Sequence, residues 1–272
     1  VASVEEAETV LRKIYHYADL SATHGSWKTN HLFTADDEQN EYADHAEQCS
    51  DIISDENHAM NAQKVYLDAY PQYTSPSGNV APDATAELVR RFEKGVLAMQ
   101  YHGHGGVRGL TDEKMLTNTE IMNMTNYDCM PFVLTATCEF SQFDDPSFVS
   151  AGELMFTLPT GGSVAMLTTV RPTVGINNVL ISKALMRNLY TPDDGKGSRF
   201  GDIVRMTKAD NTNFSSTNNT SKNISYVFFG DSALRFAAPL EKVETLTLNG
   251  QDFSEEVVLH AMSMANVEGE IR

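Results

Sequence analysis

The segment LAMQYHGHGGVRG, residues 97–109, places His102 and His104 one residue apart at the end of an apolar run and among glycines. Thirty-four positions later VLTATCEF sets Cys138 in the same context, at the end of another apolar run. Upstream, FTADD ends on Asp36 and Asp37. An imidazole, a thiol and a carboxylate are the groups that together activate a weak nucleophile. The imidazole takes the thiol proton, the thiolate attacks, and the acid holds the imidazole in its working tautomer.

Other chemistries fit these residues less well. A zinc site would use His102, His104 and Asp37, with Cys138 as an added soft ligand, but the chain has no further ligand cluster and no paired cysteine spacing. A phosphate-cradling loop would need the G-x-G-x-x-G register. Gly103, Gly105 and Gly106 fail it because Arg108 stands at the last glycine. A purely structural reading also stays open, with His104 in a capped turn and Cys138 as a small buried hydrophobe.

The elements that would position these groups follow from periodicity. VEEAETVLRKIYHYADL has helical spacing and an acidic first turn, which predicts a helix over residues 3–19. A short strand is expected over Asn30–Ala35, a polar amphipathic helix over about 42–58, a strand in KVYLDAY, and a helix from Pro82 through FEKG. VLAMQYHG reads as a strand, TDEKMLTNTEIMN as a helix, PFVLTAT as a strand and SAGELMFT as a helix. GSVAMLTTV is a further strand and GINNVLISKALMRNLY a strong helix. Alternating strands and helices, with nearly continuous apolar strands, indicate an α/β fold whose mostly parallel sheet is covered on both faces. In such a sheet reactive groups gather beyond the carboxyl ends of the strands, where Asp37, His104 and Cys138 all fall.

Residues 211–225, NTNFSSTNNTSKNIS, read as a polar low-complexity loop. After Pro239 the pattern turns to short alternating strands with Asn-Gly as a turn signal. The expected organisation is therefore residues 1–239 as one α/β domain and 240–272 as a β-rich segment, the start of a truncated domain of immunoglobulin type.

Composition narrows the function classes. The chain has 272 residues, 41% of them hydrophobic, enough for a full core. A net charge of −17 without a basic stripe argues against nucleic acid as a partner. No apolar run is long enough to span a bilayer, and the opening residues lack the pattern of a signal peptide, so the sequence reads as an excised or mature piece. Three cysteines, Cys49, Cys129 and Cys138, suit no disulfide framework.

The pair YHGHGG and VLTATCEF resembles the His-Gly and Ala-Cys motifs of the gingipain-like cysteine peptidases, relatives of the caspases, and YVFFGDSALRF is similar to the strand and turn that follow their catalytic core. Within that family WKTNHLFTADDEQN, KVYLDAYPQ and YHGHGG are similar to the sorting peptidases of the type IX secretion system of Bacteroidetes. The likeness runs from about residue 3 to residue 239. It implies a caspase-like α/β/α sandwich and a cysteine endopeptidase or transpeptidase needing no cofactor. Cys138 would be the nucleophile, His104 the catalytic histidine and Asp37 its supporting acid, with Asp36 as the fallback. His102 has no catalytic counterpart and would form a wall of the site. The backbone N–H groups of Gly105 and Cys138 would form the oxyanion hole. The implied partners are secreted cargo proteins with C-terminal sorting domains and other outer-membrane secretion components, at the cell surface. A general secreted protease and a catalytically silent scaffold of the secretion apparatus are the alternatives.

Overall fold

The computed structural model describes residues 1–19, 21–56, 60–76, 78–213, 224–239, 241, 243–254 and 256–271. Contacts divide the chain into two units, Val1–Ala238 and Pro239–Arg272.

The first unit is built on six strands: β1 (Asn30–Ala35), β2 (Asn61–Tyr66), β3 (Ala98–His102), β4 (Phe132–Ala136), β5 (Ala165–Thr169) and β6 (Tyr226–Phe229). Their order across the sheet is β6-β5-β4-β3-β1-β2. All neighbours are parallel except β6, which runs antiparallel to β5 at one edge. The expected α/β sandwich on a mostly parallel sheet is thus the observed fold.

Among the described residues seven α-helices cover it: α1 (Val4–Ala18), α2 (Asn40–Glu56), α3 (Pro82–Lys94), α4 (Asn118–Met122), α5 (Ala151–Thr157), α6 (Gly175–Leu189) and α7 (Phe200–Asn213). Alternation along each strand sends successive side chains into two separate cores. Phe33, Phe132, Leu134 and Leu167 join Ala46, Cys49, Ile181 and Phe200 of α2, α6 and α7. Leu32, Met99, Tyr101, Val133 and Met166 join Leu88 and Phe92 of α3 and Met155 of α5. Both faces of the central strands are buried, so their sequences are apolar without a period.

Helix starts follow their caps. The Ser3 hydroxyl accepts from the Glu6 N–H, and Glu5 and Glu6 sit in the first turn of α1, where the helix dipole favours negative charge. Ser150 and Glu153 form a reciprocal capping box at α5. Inside the sandwich the buried Lys13 ammonium donates to the carbonyl oxygens of Met155, at 3.4 Å, and Phe156, at 2.8 Å, tying α1 to the end of α5.

Two expectations change. The helix expected over 111–123 is confined to Asn118–Met122. Before it, Thr111 (φ 60°) and Lys114 (φ 58°) adopt left-handed conformations that a helix does not admit, and the Thr111 hydroxyl accepts from the Met115 N–H. That local side-chain bond replaces a helical turn. The strand expected in KVYLDAY lies instead over Asn61–Tyr66 and gives way to a short 3₁₀ turn, Leu67–Ala69. Helix α7 was not anticipated; it takes in residues 211–213 of the expected polar loop, and most of the rest of that loop, 214–223, lies outside the described residues.

In the second unit, Val243–Leu248 pairs antiparallel with Gln251–Asp252 and with Val267–Ile271. Asn249 and Gly250, at φ 54° and 78°, make the tight turn that Asn-Gly favours.

Candidate active site

Strands β3 and β4 are adjacent and parallel, with His102 paired to Ala136. His104 and Cys138 each lie two positions beyond that pair, so the sheet register brings them to the same edge. The segments stay in contact past the sheet: a Cβ on Gly105 would stand 2.7 Å from the Thr137 hydroxyl.

Each reactive residue is lifted from its strand by a sharp turn. After β4, Glu139 takes φ 51°, and the Ser141 N–H donates to the Thr169 carbonyl at 2.9 Å. The end of β4 is further fixed by side chains from the next connection. The Thr173 hydroxyl donates to the Thr137 carbonyl at 3.0 Å, and the Asn178 amide to the Ala136 carbonyl at 3.2 Å. Asn178 is held in turn by the buried Tyr226 hydroxyl, at 2.8 Å. The Cys138 sulfur receives the Thr173 N–H at 3.4 Å. The same thiol lies 3.8 Å from the Thr173 carbonyl oxygen, to which it can donate, so Thr173 holds the sulfur from both its N–H and its C=O.

His104 is fixed through its backbone and its ring. Its N–H donates to Asp36 Oδ2 at 2.8 Å, and Asp36 Oδ1 accepts from the Asp37 N–H at 2.9 Å. The Tyr101 hydroxyl donates to the His104 carbonyl. Ring Nε2 lies 3.0 Å from Glu38 Oε2 and 3.2 Å from the Tyr42 hydroxyl. A carboxylate only accepts, so Nε2 carries the ring proton and Nδ1 keeps the free lone pair that a general base needs. Burial raises the Tyr42 hydroxyl pKa above its ordinary value, and the charges of Asp36, Glu41 and Cys138 raise it further, as expected of a group placed among them.

Asp37 does not reach the His104 ring. Its Oδ2 accepts from the Gln72 amide, and the acid against the imidazole is Glu38, the next carboxylate in the same ADDE run. Asp36, held in reserve for that role, serves the histidine backbone. Burial holds its carboxyl above the usual range, against the N–H donors that lower it. His102 is not a wall of the site either: it is fully buried, in contact with Gln100 and 5.8 Å from the His45 ring centroid. Burial keeps it neutral, with its pKa lowered to about 3. The two histidines therefore face different surroundings and form no common metal site.

Gly105, the expected oxyanion donor beside Cys138, opens a small hairpin in which Gly105–Gly106 pairs with Gly109–Leu110, and the latter with Leu116–Thr117. An open cleft of about 850 Å³ lies along this hairpin, its wall including Glu38, His104, Gly105 and Arg108.

The three thiols differ in environment. Cys49 is fully buried and Cys129 partly so, and burial pushes the pKa of both up to about 11. A raised pKa keeps a thiol protonated, hence unreactive, until the pH approaches it. Brief iodoacetamide treatment at pH 7 is therefore expected to alkylate Cys138 first, with Cys129 gaining label only above about pH 10. Mass mapping reads the order. Preferential modification of Cys129 at neutral pH would remove Cys138 from its assigned role.

Comparison with known proteins bears on the fold and the family. The profile described as Peptidase family C25 matches residues 1–237. No curated protein sequence matches. Among solved structures, the Arg-specific cysteine proteinase gingipain R (RgpB) superposes with a TM-score of 0.69 at 16% identity, covering 90% of this chain and 56% of that one. The complex of the pro- and mature domains of Porphyromonas gingivalis RgpB gives 0.70 at 16% identity, covering 90% and 58%. A chain described only as a protease gives 0.69 at 14% identity, covering 99% and 60%. The present chain thus spans less than two thirds of each of them. With the profile covering both motif strands and nearly all of the first unit, the chain belongs to peptidase family C25, the gingipain-like cysteine peptidases.

Proposed function

We propose that this chain is the peptidase unit of a sorting peptidase of the type IX secretion system, similar to PorU, which cleaves C-terminal sorting domains from secreted cargo at the cell surface. The observation that carries the peptidase chemistry is the delivery of His104 and Cys138 to one edge by paired strands, with Glu38 on the imidazole. His104 Nδ1 takes the Cys138 proton, and the thiolate attacks the scissile carbonyl to form the C–S bond. Charge on the carbonyl oxygen is met by the N–H groups of Gly105 and Cys138, donors of a kind worth about 3 kcal/mol each in such sites. The C–N bond then breaks as the imidazolium returns its proton to the leaving amine. Water, or an amine on a surface lipopolysaccharide, releases the acyl group from sulfur.

The narrower sorting role is supported by the likeness of WKTNHLFTADDEQN, KVYLDAYPQ and YHGHGG to those peptidases. It is tested in the full-length protein in its own cell. With Cys138→Ala, cargo is expected to keep its C-terminal domain and to run at the larger size on immunoblots of the cell envelope. Normal-sized, surface-attached cargo would reject the sorting role and leave a general protease or a silent scaffold, which covalent capture by a thiol-directed peptide tells apart.

A further inference from the structure

Acyl transfer from a peptide to an amine involves two nitrogens, and proton traffic puts them in one place. In acylation the C–N bond of the substrate breaks, and the imidazolium passes its proton from His104 Nδ1 to the departing nitrogen. Release by an amine runs that step in reverse with a new partner. The amine lone pair forms a C–N bond to the acyl carbon, the C–S bond to Cys138 breaks, and the amine proton goes to Nδ1. Departing and arriving nitrogens therefore occupy the same position, within hydrogen-bond reach of His104. Whatever each nitrogen carries behind it needs room on the imidazole side of the site.

A large opening lies on that side. The cleft of about 850 Å³ along the hairpin has His104, Glu38 and Gly105 in its wall, whereas Cys138 and the connections after it, residues 139–149 and 170–176, do not line it. Those connections hold the sulfur instead, through Thr173. The His104 side chain is 44% exposed, so a group in the cleft can reach its ring. A single water occupies about 30 Å³, and a cleft of this volume falls within the roughly 300–1,000 Å³ of sites that enclose a larger ligand. Its wall is polar where it is not backbone. Asn118 Oδ1 is buried without a hydrogen-bond partner, a cost that an N–H or O–H from an occupant would remove. Arg108 is exposed and, among the described residues, forms no ion pair. A Cβ on Gly106 would meet nothing within 4 Å, which leaves the hairpin backbone open to a guest.

We propose that this cleft is the amine-side subsite of the acyl transfer. It holds the segment that follows the scissile bond and, once that segment has left, the primary amine that takes the acyl group. Asn118 Oδ1 accepts from an N–H or O–H of the occupant, and Arg108 donates to its carbonyl or anionic oxygens. The assignment rests on the acyl-transfer reading of Cys138 and His104.

The test uses the full-length protein and two substrates with the same acyl segment, one a peptide continuing several residues past the cleaved bond and the other an ethyl ester. Gly106→Leu fills the cleft from a position with open space, and Arg108→Ala removes a donor. The loss of kcat/KM on the peptide is expected to exceed that on the ester by at least about tenfold for Gly106→Leu and about threefold for Arg108→Ala, with the near-ultraviolet circular dichroism and Tm of wild type kept. Acyl-enzyme formed from the ester is then shared between water and added glycylglycine or glucosamine, which separate a peptide amine from a sugar amine as the preferred acceptor. For whichever amine wild type accepts, the ratio of amide to acid is expected to fall at least about fivefold in Gly106→Leu. Equal losses on peptide and ester, or an unchanged ratio, would overturn the proposal, and a wild type that yields only acid with both amines would overturn its acceptor half. Failure of the underlying chemistry looks different: an ester that leaves no acyl group on Cys138, and that Cys138→Ala turns over as fast as wild type, would overturn both.

Discussion

Replacing Cys138 by alanine in the full-length protein is expected to lower kcat/KM on a cleavable peptide by about 10⁴-fold or more. Removing the nucleophile removes the covalent route altogether and leaves only binding and the backbone donors. His104→Ala is expected to cost nearly as much, and the double variant little more than either alone, because thiol and imidazole act as one unit. The sheet register requires this outcome: the two residues occupy equivalent positions beyond paired strands, and nothing else in the described first unit places a thiol at that edge. Cys138→Ala retaining a tenth of the activity would show that another group does the chemistry. So would effects of the two single variants that simply multiply in the double.

The second large effect is structural and acts one residue before the histidine. Gly103 has φ +152°, and a Cβ there would stand 2.2 Å from Asp36 Cβ and 2.4 Å from the Tyr101 hydroxyl oxygen. Neither neighbour can yield freely. Tyr101 is fully buried, and Asp36 is bound to the His104 and Asp37 N–H groups. Gly103→Ala therefore combines backbone strain with overpacking, for about 3–5 kcal/mol of destabilisation. In a unit of this size that lowers Tm by roughly 10 °C. Gly106→Ala, three residues on, is the control. Its Cβ meets nothing within 4 Å, and the change is expected to stay within about 0.5 kcal/mol. Equal melting temperatures for the two variants would refute the account of Gly103.

The contrast between these sites shows which parts of the molecule the sequence makes legible. Strand β1 and the helix opened by Pro82 appear where apolar runs and punctuation place them, because both signals are local. The fold class follows from their alternation. What escapes a linear reading is direction. Asp36, Asp37 and Glu38 are consecutive carboxylates, yet one binds a backbone N–H, one faces Gln72 and one meets the imidazole, so type and position alone cannot assign the supporting acid. The same holds for HGH: His102 lies within the sheet and turns into the core, whereas His104 lies beyond its end. Thr173 and Asn178 come from a distant connection and contact Cys138 or its strand only through the tertiary fold. The left-handed Thr111 and Lys114 show no glycine signal at all, which is why a helix was expected across them.

The register that pairs His102 with Ala136 also separates two kinds of evolutionary freedom. Histidine and cysteine are anchored to neighbouring central strands, buried on both faces, and their spacing is inherited from the ladder of hydrogen bonds. The connections that run over the same edge, residues 141–149 and 170–174, carry the exposed Phe143, Val149 and Val174 and are not part of that ladder. Insertions or replacements away from the Ser141 and Thr173 anchors can therefore change the surface beside Cys138, apart from the cleft along the 105–117 hairpin, while leaving the reacting atoms in place.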